Sequence, residues 1–269
     1  MIGLIPAAGH SRRLAPIACS KEIYPIGYRQ LPGRAGVRPR PVCHYLLEKM
    51  QLAGVRQVYW VIRKGKWDIP DYLGDGSDFG VDLAYCVMDS SPGPVFTLDH
   101  AWPFVAEATV AFGFPDIIFS TRDAFRQLLD RRRATGADVV LGLFPIDPRV
   151  RDDRVLMDGR GRVTDFLLGK SGRRYPITWS IAVWGPAFTR FMHDYVARLR
   201  RTSRPARRGG PEARPPETTV GQLIEAAFRA GLSMDGVLFA NDAWTDIGTP
   251  EGMHLALQKF GKLTSRVTR

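Results

Sequence analysis

The apolar and polar positions of this chain switch repeatedly between the two-residue period of a strand and the longer period of a helix. Ile2, Leu4 and Ile5 form a first short apolar run. It ends at Ala7-Ala8-Gly9, a small-residue turn that carries His10, Ser11, Arg12 and Arg13 before Lys21 and Pro25. Gly27 to Arg40 is rich in Gly, Pro and Arg and reads as a long surface connection. Helical spacing follows from about Pro41 to Leu52, closed by Ala53-Gly54. The β-branched and aromatic run from Val55 to Ile62 predicts the second parallel strand, which completes a βαβ unit.

The same alternation continues. Asp68 to Gly80 predicts a short helix and a turn, with a strand from Val81 to Tyr85. Ala108 to Phe114 is an apolar strand ending at Pro115-Asp116, and Asp123 to Ala134 is a helix. Ala137 to Phe144 is a strand, and Arg154 to Phe166 a hairpin turning at Asp158-Gly159. Trp179 to Trp184 predicts a strand, Pro186 to Leu199 and Gly221 to Ala230 helices, and Val237 to Ala240 a strand. A turn from Trp244 to Pro250 leads into a last helix, Glu251 to Gln258. Strands alternating with helices place the chain in the α/β class with a mainly parallel sheet.

Composition narrows the partners. With 45% hydrophobic and 24% charged residues among 269, the chain can bury a full core as one domain over 1–269. No apolar run approaches the roughly 18 residues of a spanning helix, and the first is too short for a secretory signal, so a cytoplasmic protein without a membrane partner is expected. Cys19, Cys43 and Cys86 lie far apart in no metal spacing and read as reduced thiols. The net charge of +11 is concentrated from Arg198 to Arg214, among Ser, Gly and Pro, which reads as a mobile, solvated insertion at about 200–216. That stretch has no aromatic residue on which bases could stack, so nucleic acid is not an expected partner.

Three places carry candidate chemistry. A strand feeding Ala7, Ala8, Gly9, His10, Ser11, Arg12 and Arg13 offers backbone N–H groups and cations to a polyphosphate, with Lys21 following; an ordinary tight turn is the plainer reading. Asp116 stands just past a central strand, where open α/β sheets bind ligands, and is read either as a metal ligand or as the cap of the next helix. Asp246 lies in the Trp-x-Asp-x-Gly-Thr-Pro string that opens the last helix.

Gly9-His10-Ser11-Arg12-Arg13-Leu14 and Lys21-Glu22-Ile23-Tyr24-Pro25 resemble the N-terminal signature of the sugar-1-phosphate nucleotidylyltransferases. Leu73-Gly74-Asp75-Gly76, the strand-end Asp116, Glu217-x-Thr219 and Trp244-x-Asp246-x-Gly248-Thr249-Pro250 extend the resemblance, in the family's order, to about residue 258. It implies a Rossmann-like nucleotidyltransferase fold with a mixed, mainly parallel central sheet and an inserted β-hairpin region. It implies an enzyme that moves a nucleoside monophosphate from a nucleoside triphosphate, dTTP or UTP, to a sugar 1-phosphate. Arg13 and Lys21 would be catalytic, and residues 7–12 with Met88 and Gly93 would bind the nucleotide. Lys170, Glu217 and Thr219 would bind the acceptor, and Asp116 and Asp246 would hold Mg²⁺.

The chain also departs from the family pattern. Met88 stands where relatives place a base-reading Gln, Leu168-Gly169-Lys170 replaces Glu-Lys-Pro, and Pro115 replaces the Gly of Gly-Asp. Thr218-Thr219 are equally suited to capping a helix. A cytidylyltransferase for a phosphonate or alcohol phosphate, and a non-catalytic nucleotide-binding descendant, are the alternatives. The partners expected are the triphosphate and a phosphorylated small molecule, and a homo-oligomer is compatible with the sequence.

Overall fold

The computed structural model describes residues 1–30, 36–202, 217–242 and 244–261. Most of the basic stretch expected as an insertion therefore lies outside the described residues, while Arg198, Arg200 and Arg201 continue the helix before it.

In chain order the first half contains β1 (Ile2–Pro6), β2 (Pro25–Gln30), β3 (Val37–Pro41), α1 (Cys43–Leu52), β4 (Gln57–Arg63), α2 (Asp68–Leu73) and β5 (Asp82–Met88). Next come α3 (Pro94–Asp99), α4 (Trp102–Val105), β6 (Val110–Gly113) and β7 (Ile117–Ile118). The second half has α5 (Ala124–Thr135), β8 (Val139–Pro145), β9 (Asp152–Met157), β10 (Val163–Lys170), β11 (Ile177–Trp184) and α6 (Pro186–Thr202). It ends in α7 (Val220–Arg229), β12 (Met234–Leu238), β13 (Thr245–Asp246) and α8 (Pro250–Phe260).

β5, β4, β1 and β6 pair in parallel, and β11 joins β6 in the opposite sense. One edge of β11 pairs with β8, which in turn pairs with β12 in parallel. The other edge is divided: Ile181 to Trp184 face β6, whereas Ile177 and Thr178 face β9 of the β9–β10 hairpin. The mixed, mainly parallel sheet and the inserted hairpin are thus as expected.

Period-two alternation sends successive side chains to opposite faces. Leu4, Val110, Phe112 and Leu141 pack under α3, α6 and α7, while Ile5, Ala111 and Val140 pack with Leu46, Leu47 and Phe125 of α1 and α5. Trp60, Phe112, Phe125, Trp184 and Phe188 are fully buried, each contributing about 1.5–3 kcal/mol relative to exposure. α7 is closed by a capping box in which Thr219 accepts from the Gln222 N–H and Gln222 accepts from the Thr219 N–H.

The surface connection expected over Gly27 to Arg40 is instead an antiparallel ribbon of β2 and β3. Arg40 of that ribbon lies 3.6 Å over the Tyr45 ring and pairs with Glu48, which fastens it to α1.

Candidate functional site

The turn after β1 is held on the sheet by the Ala7 N–H, which donates to the Val61 carbonyl (2.8 Å). Ala7 and Ala8 are buried, Gly9, His10, Arg12 and Arg13 are exposed, and Ser11 sits at φ 51°. That left-handed conformation is costly for a residue with a Cβ and tends to persist where a ligand loop requires it. The Ser11 Oγ is buried with no protein partner, so this loop holds a hydroxyl in reserve.

Beneath the loop lies an arrangement with no signature in the sequence. Lys66, 4% exposed, donates to both oxygens of Glu22 (2.8 and 2.7 Å) and to the Ala7 carbonyl (2.9 Å). Glu22 is 1% exposed and adjoins Lys21, so one buried ammonium ties the loop backbone to the segment that carries Lys21. Burial pushes the Glu22 carboxyl up and the Lys66 ammonium down, and each partner opposes the other's shift.

Asp116 and Asp246 come from opposite halves of the chain and are joined by a two-stranded ribbon. Asp246 of β13 pairs with Ile117 of β7, and the Ile247 N–H donates to the Asp116 carbonyl (3.0 Å). A Cβ added to Gly248 would meet Asp246 Oδ1 at 2.8 Å, Arg13 Nη2 at 3.0 Å and Asp116 Oδ2 at 3.4 Å, so these three groups surround one point. Lys21 Nζ pairs with Asp116 Oδ2. Burial lowers the Lys21 pKa, but the Asp116 charge and hydrogen bond, with Glu22 and Asp246, outweigh it and hold the ammonium above its ordinary range. Burial, and then the Asp116 charge, push the Asp246 carboxyl up against the pull of the Gly248 N–H, Lys21 and Arg13. Asp116 does not cap the following helix, whose N-cap position is Asp123.

Two neighbouring carboxylates that disfavour each other's charge suit a hard divalent cation, and Mg²⁺ typically takes one or two carboxylates plus substrate phosphates. The donor set fits that ion. Among the described residues no group of three or more His, Cys, Asp and Glu side chains is gathered for a metal, so the remaining ligands would come from substrate and water.

These groups line one cleft of about 820 Å³. The structure brings Ala8, Gly9, His10, Ser11, Arg12, Arg13, Lys21, Gly93, Asp116, Glu217, Thr219 and Asp246 to it, so most of the residues expected at the site share a single opening. Three do not line it. Ala7 is buried beneath the loop, Met88 ends β5 and packs against the core, and Lys170 ends β10 with its carbonyl accepting from Arg154 Nε (3.1 Å). Thr219 reaches the cleft with its hydroxyl already in the capping box.

Four of the lining residues that were not expected belong to β9 and β11. Asp152 and Asp153 open β9, and Trp179 and Ser180 are consecutive in β11. A register shift between Trp179 and Ile181 explains how two successive side chains reach the same cleft, since a bulge re-aims side chains that would otherwise alternate.

Gly252 docks α8 on this centre. A Cβ there would lie 1.8 Å from the Asp246 carbonyl oxygen, backbone that cannot swing aside. Gly252→Ala is expected to cost about 1–3 kcal/mol by overpacking. It should also reduce turnover more than tenfold by moving Asp246, on the rule that a 1 Å misplacement can cost about a hundredfold. Thermal unfolding and steady-state assays on the same preparation check both.

No protein-family model matches the chain. It is 25% identical over 259 residues to glucose-1-phosphate thymidylyltransferase of Neisseria meningitidis, covering 95% of this chain and 81% of the relative. It is 24% identical over 254 residues to the low-salt glycan biosynthesis nucleotidyltransferase of Haloferax volcanii, covering 93% and 63%. Among solved structures it resembles a Bacillus anthracis protein described as a glucose-1-phosphate thymidylyltransferase in complex with sucrose. The TM-score is 0.77 at 19% identity, over 98% of this chain and 97% of that one. The resemblance to sugar-1-phosphate nucleotidylyltransferases therefore holds along nearly the whole chain, and the expectations of an enzyme and of this fold are met.

Proposed function

We propose that this protein transfers a nucleoside monophosphate from dTTP or UTP to the phosphate of a sugar 1-phosphate, releasing pyrophosphate in a Mg²⁺-dependent, cytoplasmic reaction. The observation that carries this reading is the convergence of Arg13, Lys21, Asp116 and Asp246, from four separate segments, beside a loop suited to phosphates. The names of the relatives support the acceptor class and the thymidine nucleotide.

In this reaction an ionised oxygen of the acceptor phosphate forms a bond to the α-phosphorus as the α–β bridging P–O bond breaks. The electron pair leaves with pyrophosphate, and no general base is needed. Catalysis is then positioning and charge neutralisation. The loop residues 8–12 hold the triphosphate, Arg13 forks the β- and γ-phosphates, and Lys21, kept protonated by its carboxylate neighbours, faces charge that grows at the α-phosphate. Asp116 and Asp246 would hold the Mg²⁺, which when bound supplies further neutralisation of phosphate charge.

Lys21→Met is expected to lower kcat about ten- to a hundredfold while changing the nucleotide Kd little, because its contact strengthens in the transition state. Arg13→Ala should both raise that Kd and slow the reaction, its contact being present in both states. Stopped assays of pyrophosphate release with calorimetry on the two variants make the test. Parent turnover untouched by Lys21→Met would refute the mechanism, and a parent that binds nucleotide without releasing pyrophosphate for any acceptor would indicate a binding protein.

With Lys170 outside the cleft and Met88 on the core side, the expected acceptor and base contacts are missing, and the second reading uses CTP with an alcohol phosphate or phosphonate. Comparing the five common triphosphates separates the two.

A further inference from the structure

Asp152 and Asp153 open β9 where it meets β11 and line the same cleft as Arg13 and Lys21, with Asp152 near enough to Asp246 to feel its charge. Ile177 pairs with Val155 and Thr178 with Arg154, and the Thr178 hydroxyl donates to the Asp153 carbonyl (2.7 Å), so Asp153 adjoins the strand that carries Trp179 and Ser180.

The chain has 38 Lys and Arg against 27 Asp and Glu, so carboxylates have cations in excess to pair with. Yet neither Asp152 nor Asp153 forms an ion pair among the described residues. Each is half-buried and has one oxygen fixed by backbone: Asp152 Oδ1 accepts from the Asp153 N–H (2.8 Å), and Asp153 Oδ1 from the Gly169 N–H (2.9 Å). The second oxygen of Asp153 is accommodated by Gly221, where a Cβ would come within 1.9 Å of it. Two orientated carboxylates are thus kept without a counter-charge, an arrangement that costs free energy unless a ligand supplies one.

Trp179 gives an independent sign of a ligand. Its side chain lines the cleft, is 6% exposed, and its Nε1–H has no partner. A buried indole N–H normally finds an acceptor. The Phe114 ring, also lining the cleft, lies 5.9 Å from the Trp179 ring, so the wall beside the two carboxylates is aromatic.

We infer that the acceptor is a zwitterion: beyond its phosphate it carries an ammonium group, bound by Asp152 and Asp153 against the aromatic wall of Trp179. This rests on the proposed transfer reaction for the role of the molecule as acceptor. Its phosphate meets Arg13 and Lys21, its ammonium supplies the counter-charge that the two hydrogen-bonded carboxylates lack and faces the neighbouring π systems, and in an amino sugar the Trp179 N–H donates to a ring or hydroxyl oxygen. An amino-sugar 1-phosphate and an amino-alcohol phosphate share this chemistry.

The test uses two matched pairs at pH 7, glucosamine 1-phosphate against glucose 1-phosphate and phosphoethanolamine against glycerol 3-phosphate. Binding to the full chain is measured by calorimetry, and pyrophosphate release is measured in parallel with dTTP, UTP and CTP. The ammonium member of at least one pair should bind about tenfold or more tightly than its neutral partner, and the pair that shows the gap identifies the source. Asp153→Asn and Asp152→Asn retain an oxygen for the backbone N–H and should reduce that gap to about threefold or less. Trp179→Phe should weaken both members alike. Equal binding within both pairs, a gap that survives in both Asn variants, equal loss of all acceptors in those variants, or no binding of any acceptor would overturn the inference. A binding preference without pyrophosphate release from any combination would refute the transfer reaction and leave the ammonium site standing; release without preference would do the reverse.

Discussion

Asp246→Asn is expected to lower turnover by about three orders of magnitude while leaving the melting temperature unchanged or higher. The first effect follows from removing one of two charges that would hold the metal and oppose phosphate charge, since electrostatic groups of this kind contribute about a hundred- to a thousandfold each. The second follows from the physics of the site. Burial and the Asp116 charge push the Asp246 carboxyl up, so the native state binds its proton more tightly than the unfolded chain does. The ionised form therefore costs folding stability, which falls as pH rises from the ordinary aspartate range through the raised value. Asparagine removes that cost and still accepts from the Gly248 N–H, now 2.6 Å from Asp246 Oδ1. Steady-state rates and thermal unfolding between pH 4 and 8 check both halves. Full turnover in the variant would sink the metal assignment, and a markedly lower melting temperature would show that Asp246 is structural.

Lys66→Met should give the opposite pattern, a loss of stability larger than at any substitution in the cleft. It strands Glu22, 1% exposed, without its cation, and breaking a buried pair from one side costs about 3–5 kcal/mol. For a chain of this size that corresponds to a fall of roughly 10 °C in melting temperature. The deficit should shrink as pH is lowered, because burial already raises the Glu22 carboxyl and the stranded group can then take a proton. Replacing both partners, Glu22→Leu with Lys66→Met, should recover at least half of the loss. Denaturant titrations of the three variants decide this, and a single variant as stable as the parent would show that the pair contributes nothing net.

The alternation of strands and helices was legible because the central strands are buried on both faces and flanked by Gly, Pro and charged turns. β1, α1, β4, α5, β8 and α6 all fall where the apolar pattern puts them. The carboxylates and cations that share the cleft were legible for a different reason, that each lies in a short string resembling a known family signature. The β2–β3 ribbon escaped because it is not held by an apolar stripe. Arg29 pairs with Arg38 across it, and Arg40 fixes it through a ring and a carboxylate on α1.

α3 escaped because Val95 to Asp99 are buried on every side, leaving no amphipathic period to read. Glu22 and Lys66 are ordinary charged residues until the fold brings them together. The pairing of Trp179 and Ser180 at the cleft depends on a register shift that exists only once β8 and β11 have met.

The ribbon of β7 and β13 also bears on when the protein becomes competent during its synthesis. The loop, Lys21 and Asp116 all emerge from the ribosome well before Asp246, which reaches them only when one of the last strands to be made pairs beside Ile117. On the proposed transfer reaction, the second carboxylate is thus the last of these four groups to join the site.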